Sequence, residues 1–127
     1  MEMRDHSVLS KAKIYIVFGC GGERDRSKRS VMAAIAEEYA THSFVTPDNP
    51  RNEKLPKINE EIVSGFKNNN FDVFMDREKG LRAALDMTVK NDIVIVLGKG
   101  REEYQEICGE LISYSDINII NEYSHEN

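Results

Sequence analysis

Cysteine is scarce in this chain: Cys20 and Cys108 are the only two among 127 residues, and their spacing is not that of metal ligands. This excludes a disulfide framework and leaves two reduced thiols in a cytosolic protein. Histidine is equally thin. His6, His42 and His125 are scattered and form no ligand pattern, so no metal site is expected. No apolar run is long enough to span a bilayer. The opening Met1-Glu2-Met3-Arg4-Asp5-His6 lacks the apolar core of a signal peptide. The basic residues form no run and the net charge is −5, which argues against nucleic acid and against a polybasic membrane contact. A soluble, cytoplasmic chain remains. Its length fits one domain, and its 40% hydrophobic content supports one core.

Residues 1–12 read as a polar lead-in to a domain over 13–127. Lys13 to Phe18 is a β-branched and aromatic run, expected to be a buried strand. A helix follows over Ser30 to Ala40, with Val31, Met32, Ile35, Ala36 and Tyr39 on one face and Glu37 and Glu38 facing water. His42 to Thr46 is a short strand, and Pro56 to Phe66 a second helix aligning Ile58, Ile62, Val63 and Phe66. Asn68-Asn69-Asn70 breaks it before a strand over Phe71 to Met75. Arg77 to Lys90 carries the clearest helical period, through Leu81, Ala84, Leu85, Thr88 and Val89. Asp92 to Leu97 is a continuous apolar strand of the kind buried on both faces of a parallel sheet. The remainder reads as a short helix over Glu102 to Ile107 and an edge strand over Glu110 to Ser113. A last helix follows, capped at Ser115-Asp116 and carrying Ile117, Ile120 and Tyr123. The strand–helix alternation predicts an α/β fold: a Rossmann-like, mostly parallel sheet with helices on both faces.

Ligands of such sheets sit at the carboxyl ends of the strands, where three unusual loops fall. Gly19 to Arg29 combines glycines with Arg24, Arg26, Lys28 and Arg29, a setting in which backbone amides can approach an anion. The dinucleotide fingerprint fails at Arg24, and GxxxxGK[ST] is absent. A glycine turn with solvated charges fits the spacing as well. Thr46-Pro47-Asp48-Asn49-Pro50-Arg51 places a carboxylate, an amide and a guanidinium on a stiffened backbone. Arg51 can grip a carboxylate in a fork, and Asp48 can face an ammonium. An ordinary Asx–Pro turn is the alternative. Gly98-Lys99-Gly100-Arg101-Glu102 allows close backbone approach at Gly98, with Glu102 as an ammonium acceptor or as an acidic residue favoured at a helix start.

The segments VFGCGGERDRSKR (17–29), TPDNPR (46–51), GKGREEYQ (98–105) and, more loosely, SYSD (113–116) together resemble the C-terminal domain of the Mur ligases, in the MurE type, the UDP-N-acetylmuramoyl-tripeptide synthetases. The likeness runs from about Lys13 to Tyr123. It implies a Rossmann-like unit that supplies the amino-acid pocket of an ATP-dependent ligase. In that family ATP forms an acyl phosphate on UDP-MurNAc-L-Ala-D-Glu, and the amine of the incoming amino acid attacks it. By position, Arg24, Asp48, Asn49, Arg51, Gly98 and Glu102 are the implied ligands, with Pro50 completing the motif. An arginine at the position of Arg51 implies meso-diaminopimelate rather than lysine, because a guanidinium pairs with the distal carboxylate and opposes a bare ammonium. Lys28 and Arg29 are assigned a place near phosphate.

The third motif usually reads GKGHE, and Arg101 stands in the histidine position here. The phosphate loop, the acidic magnesium set and the UDP-binding domain of the family are not found in these residues. No catalytic residue and no cofactor is therefore assigned to this chain. ATP and Mg²⁺ are expected on the full-length enzyme, and the chain's partners are meso-diaminopimelate and the ATP- and UDP-binding domains. As this chain alone, no ligation is expected. A stand-alone module that binds an amino acid or a cell-wall peptide, or pairs with a separate ATP-binding chain, is the alternative. A generic nucleotide binder is a third reading, disfavoured by the missing fingerprint.

Overall fold

The computed structural model describes residues 12–126. The expected lead-in over 1–12 lies, apart from Ala12, outside the described residues. The elements run β1 (Ile14–Phe18), α1 (Lys28–Tyr39), β2 (His42–Val45), α2 (Leu55–Val63), β3 (Phe71–Val73), α3 (Arg77–Met87), β4 (Ile93–Val96), β5 (Tyr104–Ile107), β6 (Glu110–Ser113) and α4 (Asp116–Glu126). The first four strands form one parallel sheet in the order β3-β2-β1-β4.

The period of two in β1 divides the core. Ile14, Ile16 and Phe18 pack with Ala33 and Ala36 of α1 and Ile58 and Ile62 of α2. Tyr15 and Val17 face the other way, with Phe44, and meet Leu81 and Ala84 of α3 and Ile119 of α4. Helices thus cover both faces, as the strand–helix alternation predicts. The chain turns back at β1: β2 and β3 lie to one side and β4 to the other. This reversal opens a crevice at the carboxyl ends of the strands.

Several elements differ from the sequence-based expectation. In α1 Arg29, Ala33 and the expected Ala36 are buried and Met32 packs partly against the core, whereas Val31, Ile35 and Tyr39 are about half exposed, at 53%, 53% and 48%. Small residues let the helix lie close on β1 and α2, and Ile35 and Tyr39 line a groove with Leu97, just past β4. Glu37 does not simply face water. It accepts the backbone N–H groups of Lys67 and Asn68 at 3.0 and 2.8 Å, tying down the turn after α2. β4 is an edge strand paired only with β1, and Ile95 and Leu97 remain 38% and 43% exposed. Its apolar run is therefore not buried on both faces.

Helix α3 ends at Met87, so Val89 lies beyond it and is exposed. In α4 the buried isoleucine is Ile119, with Ile117 and Ile120 facing outward. The helix expected over Glu102 to Ile107 is a strand. β5 pairs antiparallel with β6, because Cys108 and Gly109 both take positive φ, +51° and +82°, and close a two-residue hairpin turn.

One buried cation joins these parts. Arg77, at the start of α3, is 1% exposed. Its Nε and Nη2 donate to Asp116 at 3.0 and 2.8 Å, its Nη1 to Thr46 Oγ1 at 3.1 Å and to the Pro47 carbonyl at 3.3 Å, and its Nη2 also to the Leu97 carbonyl at 3.0 Å. Tyr114 donates to the same Asp116 carboxylate, and burial and that bond push its phenol upward. Removing one partner of a buried pair strands the other's charge. Arg77→Ala is expected to lower the unfolding free energy by about 3–5 kcal/mol. A urea titration of the purified chain checks this, with Asp116→Ala falling similarly and the double variant losing less than the sum.

Candidate functional site

The loops after β1, β2 and β4 converge at the crevice. The first packs directly on the second. A Cβ on Gly19 would lie 1.8 Å from the Thr46 carbonyl oxygen, and one on Gly22 1.8 Å from that of Pro50. Only glycine fits such contacts. The Gly22 amide donates to the Asn49 carbonyl at 2.7 Å. These two glycines serve loop-on-loop packing, and the Gly22 amide is already committed within the protein.

Arg24, Lys28, Asp48 and Gly98 line one cleft of about 360 Å³, with Cys20 at its floor. Arg24 and Lys28 are exposed along its rim. Gly98 takes φ +109° and faces the Asp48 carboxylate: a Cβ there would lie 3.5 Å from Oδ2. Burial pushes the Cys20 thiol up to about 11, so it is not a thiolate nucleophile at neutral pH.

The remaining motif residues form a ring beside the cleft. Asn49 is 6% exposed. Its Oδ1 accepts from Lys99 Nζ at 2.7 Å and from the Glu106 amide at 2.9 Å, while its Nδ2 lies 3.5 Å from Glu102 Oε1. Pro50 is buried, and its carbonyl accepts from the Glu53 amide at 3.1 Å. Arg51 holds φ +55°. Its Nη1 donates to the Gly22 carbonyl at 3.0 Å, and its Nε to Glu106 Oε1 at 3.2 Å. A non-glycine residue in this left-handed region is a strained conformation of the sort that gathers at ligand sites. Arg101 is exposed, while Glu102 keeps its place beside Asn49.

Sequence reasoning missed Lys99. It is 2% exposed, and its ammonium lies 3.2 Å from both Asp48 Oδ1 and Glu102 Oε1. The two carboxylates expected to meet a ligand ammonium thus share an internal one, leaving Asp48 Oδ2 toward Gly98 and the cleft. The signal was present: two carboxylates in converging loops require a cation, and Lys99 sits between two glycines of positive φ. Gln105 was missed too. Its side-chain amide donates to the Asp48 carbonyl at 3.0 Å and binds the hairpin to the second loop.

Arg29 does not take the place near phosphate that the sequence suggested. It is 1% exposed and forks onto Glu53 at 2.7 and 2.9 Å, with further bonds to Glu61 at 3.0 Å and to the Gly21 carbonyl at 2.9 Å. Burial at the start of α1 turned a candidate ligand into a brace for the first loop. Lys28, one residue earlier, does face the cleft.

An open parallel sheet with charged loops gathered at its reversal point defines an α/β domain of the kind whose general ligand position is at those loops. The profile described as "Mur ligase, glutamate ligase domain" matches residues 3–100. The UDP-N-acetylmuramoyl-L-alanyl-D-glutamate–2,6-diaminopimelate ligase of Haemophilus influenzae (strain PittGG) is 43% identical over 107 residues, covering 84% of this chain and 22% of that protein. The ligase of the same name from Aquifex aeolicus (strain VF5) is 42% identical over 121 residues, covering 94% and 25%. A solved structure of a ligase so named superposes with a TM-score of 0.83 at 31% identity, over 91% of this chain and 24% of that one. The chain belongs to the Mur ligase family, as the C-terminal domain that its motifs resemble, and spans about a quarter of the length of these relatives.

The Arg29–Glu53 brace makes the first loop sensitive to acid. The Arg29 fork, followed by the Glu23 amide, holds the Glu53 carboxyl down at about 2, against an ordinary value of 4.5. A carboxyl depressed in the folded state contributes stability that is complete above the unfolded value and is lost as pH falls toward the folded one. Glu53→Gln is therefore expected to be less stable at neutral pH and to lose less between pH 4.5 and about 2. Urea midpoints measured across that range check the difference in slope.

Proposed function

We propose that this chain is the amino-acid-recruiting domain of a cytoplasmic UDP-N-acetylmuramoyl-tripeptide synthetase, and that it holds meso-diaminopimelate for addition to UDP-MurNAc-L-Ala-D-Glu. The observation that carries this reading is the meeting of Arg24, Asp48 and Gly98 in one cleft, with Arg51 on the adjoining wall. The names of the relatives support it, since each is a 2,6-diaminopimelate ligase.

The chemistry of the amino acid fits the charges. Its distal centre carries both an ammonium and a carboxylate. Arg51 and Arg24 supply guanidinium groups for the carboxylate, and Asp48 Oδ2 and Glu102 supply acceptors for the ammonium. Gly98 permits the ligand to approach the backbone. Asn49 and Pro50 set the loop geometry from below, and Lys28 lies on the rim, where an acyl phosphate could be met. Lysine, lacking the distal carboxylate, would leave the guanidinium groups opposite an ammonium.

ATP and Mg²⁺ serve the ligases of this family when they are bound. Among the described residues no group of three His, Cys, Asp or Glu side chains could hold a metal ion. The chain spans about a quarter of the length of its relatives, and we assign the activation step and recognition of the UDP-linked peptide to the part of such an enzyme outside these residues. What this domain contributes is position: an amine held steady beside an acyl phosphate made elsewhere.

Titration of the chain with meso-diaminopimelate and, separately, lysine tests this by backbone amide NMR. Shifts at Arg24, Asn49, Arg51 and Glu102 with diaminopimelate alone are expected. Arg51→Ala should weaken that binding by about tenfold or more, as a lost charge-assisted bond implies, with its amide spectrum otherwise native. Equal responses to the two amino acids would overturn the substrate assignment.

A further inference from the structure

Arg51 is already occupied. The Nε proton goes to Glu106 Oε1 at 3.2 Å, and Nη1 goes to the carbonyls of Gly22 and Asn49 at 3.0 and 3.3 Å. Nη2 alone keeps both its protons free of these bonds. A carboxylate seated in a fork needs protons from two neighbouring nitrogens. It must therefore take the edge shared by Nη2 with either Nη1 or Nε.

The two edges are not equivalent. Nη1 is held by backbone carbonyls of two loops that are themselves joined by the Gly22–Asn49 bond of 2.7 Å. Freeing it would disturb the loop packing. Nε is held by one side chain, and that side chain is 36% exposed. A side chain at such a position can rotate away into solvent.

Glu106 itself is fixed by its backbone. Its amide donates to Asn49 Oδ1 at 2.9 Å, its carbonyl accepts from the Arg51 amide at 2.8 Å, and Ile107 bridges to Arg51. The carboxylate is thus anchored within reach of the guanidinium, yet free at its end.

We propose that Glu106 is a specificity-determining residue of this site: its carboxylate holds the Nε edge of Arg51 when the site is empty and is exchanged for the carboxylate of the ligand. The inference rests on the reading of Arg51 as the residue that meets a ligand carboxylate. The exchange replaces one anion by another, so the charge around Arg51 is conserved. A ligand end that carries only an ammonium cannot make the exchange and leaves Glu106 in place. Selection for a carboxylate therefore comes from the pair, not from the arginine alone.

The test uses the chain and its Glu106→Gln variant, with glutarate as a dicarboxylate probe, meso-diaminopimelate, and 1,5-diaminopentane as a diamine that carries no carboxylate. The Arg51 Nε–Hε resonance and the Glu106 carboxyl carbon are followed by NMR, and native amide spectra establish that the variant folds. In the unsubstituted chain, either carboxylate ligand is expected to move both signals together, and the diamine neither. Loss of one partly exposed competing ion pair should tighten carboxylate binding about two- to fivefold in Glu106→Gln. Equal or weaker binding by the variant, or an unmoved Glu106 carbon while Arg51 responds, overturns the proposal and leaves the diaminopimelate reading standing. Tighter glutarate binding by the variant with no response to diaminopimelate in either protein upholds Glu106 and overturns that reading. No binding of either carboxylate to either protein overturns both.

Discussion

The buried pair of Arg77 and Asp116 is the constraint on which the rest of the molecule depends. Its guanidinium joins the carboxyl ends of β2 and β4, through Pro47 and Leu97, to the first residues of α3 and α4. Those strand ends carry the second and third loops of the candidate site. A fork with five fixed donors can hold carbonyls from separate segments in one plane, which a lysine ammonium cannot do. Burial opposes the charge, and the bonds to Asp116 restore it. The fold and the site are therefore tied to the same side chain.

Around that point the site is assembled from charges paired within the protein. Lys99 lies between Asp48 and Glu102, Glu106 lies on Arg51, and Glu53 lies on Arg29. Groups of opposite sign hold one another at 2.7–3.2 Å. The loops are held to one another by these internal pairs, so on the proposed reading a ligand would bind by exchange rather than by ordering side chains. Such pre-organisation lowers the conformational cost of recognition. Asn49 is central here for a different reason: its one amide group touches the lysine, the glutamate and the hairpin.

Much of the fold was legible in the sequence. The β-branched runs gave β1, β2 and β4, and the helical period gave α3 nearly to its end. The three loops were found because glycine, proline and paired charges seldom collect at strand ends without a reason. The errors have physical causes. In α1 the inward face is the one with alanines, since close helix–sheet approach counts for more than side-chain size. The apolar run of β4 suggested a central strand, but apolarity does not report how many neighbours a strand has. The hairpin of β5 and β6 was hidden because Cys108, a poor candidate for positive φ, takes a turn position usually given to asparagine or glycine.

The sequence by itself determined the class of fold, the order of its elements as far as β4 and the place of the three unusual loops at the strand ends, because periodicity and local turn chemistry are properties of neighbouring residues. Only the tertiary structure decided which charges remain for a ligand. Arg29 and Lys28 are adjacent in sequence, yet one is buried in a carboxylate fork and the other lines the cleft. Lys99 stood in a quoted motif with no role and Glu106 in none, and folding set them against Asp48, Asn49 and Arg51. Partners separated by about fifty residues meet only through the sheet, and it is the partner that sets what a charged group is free to bind.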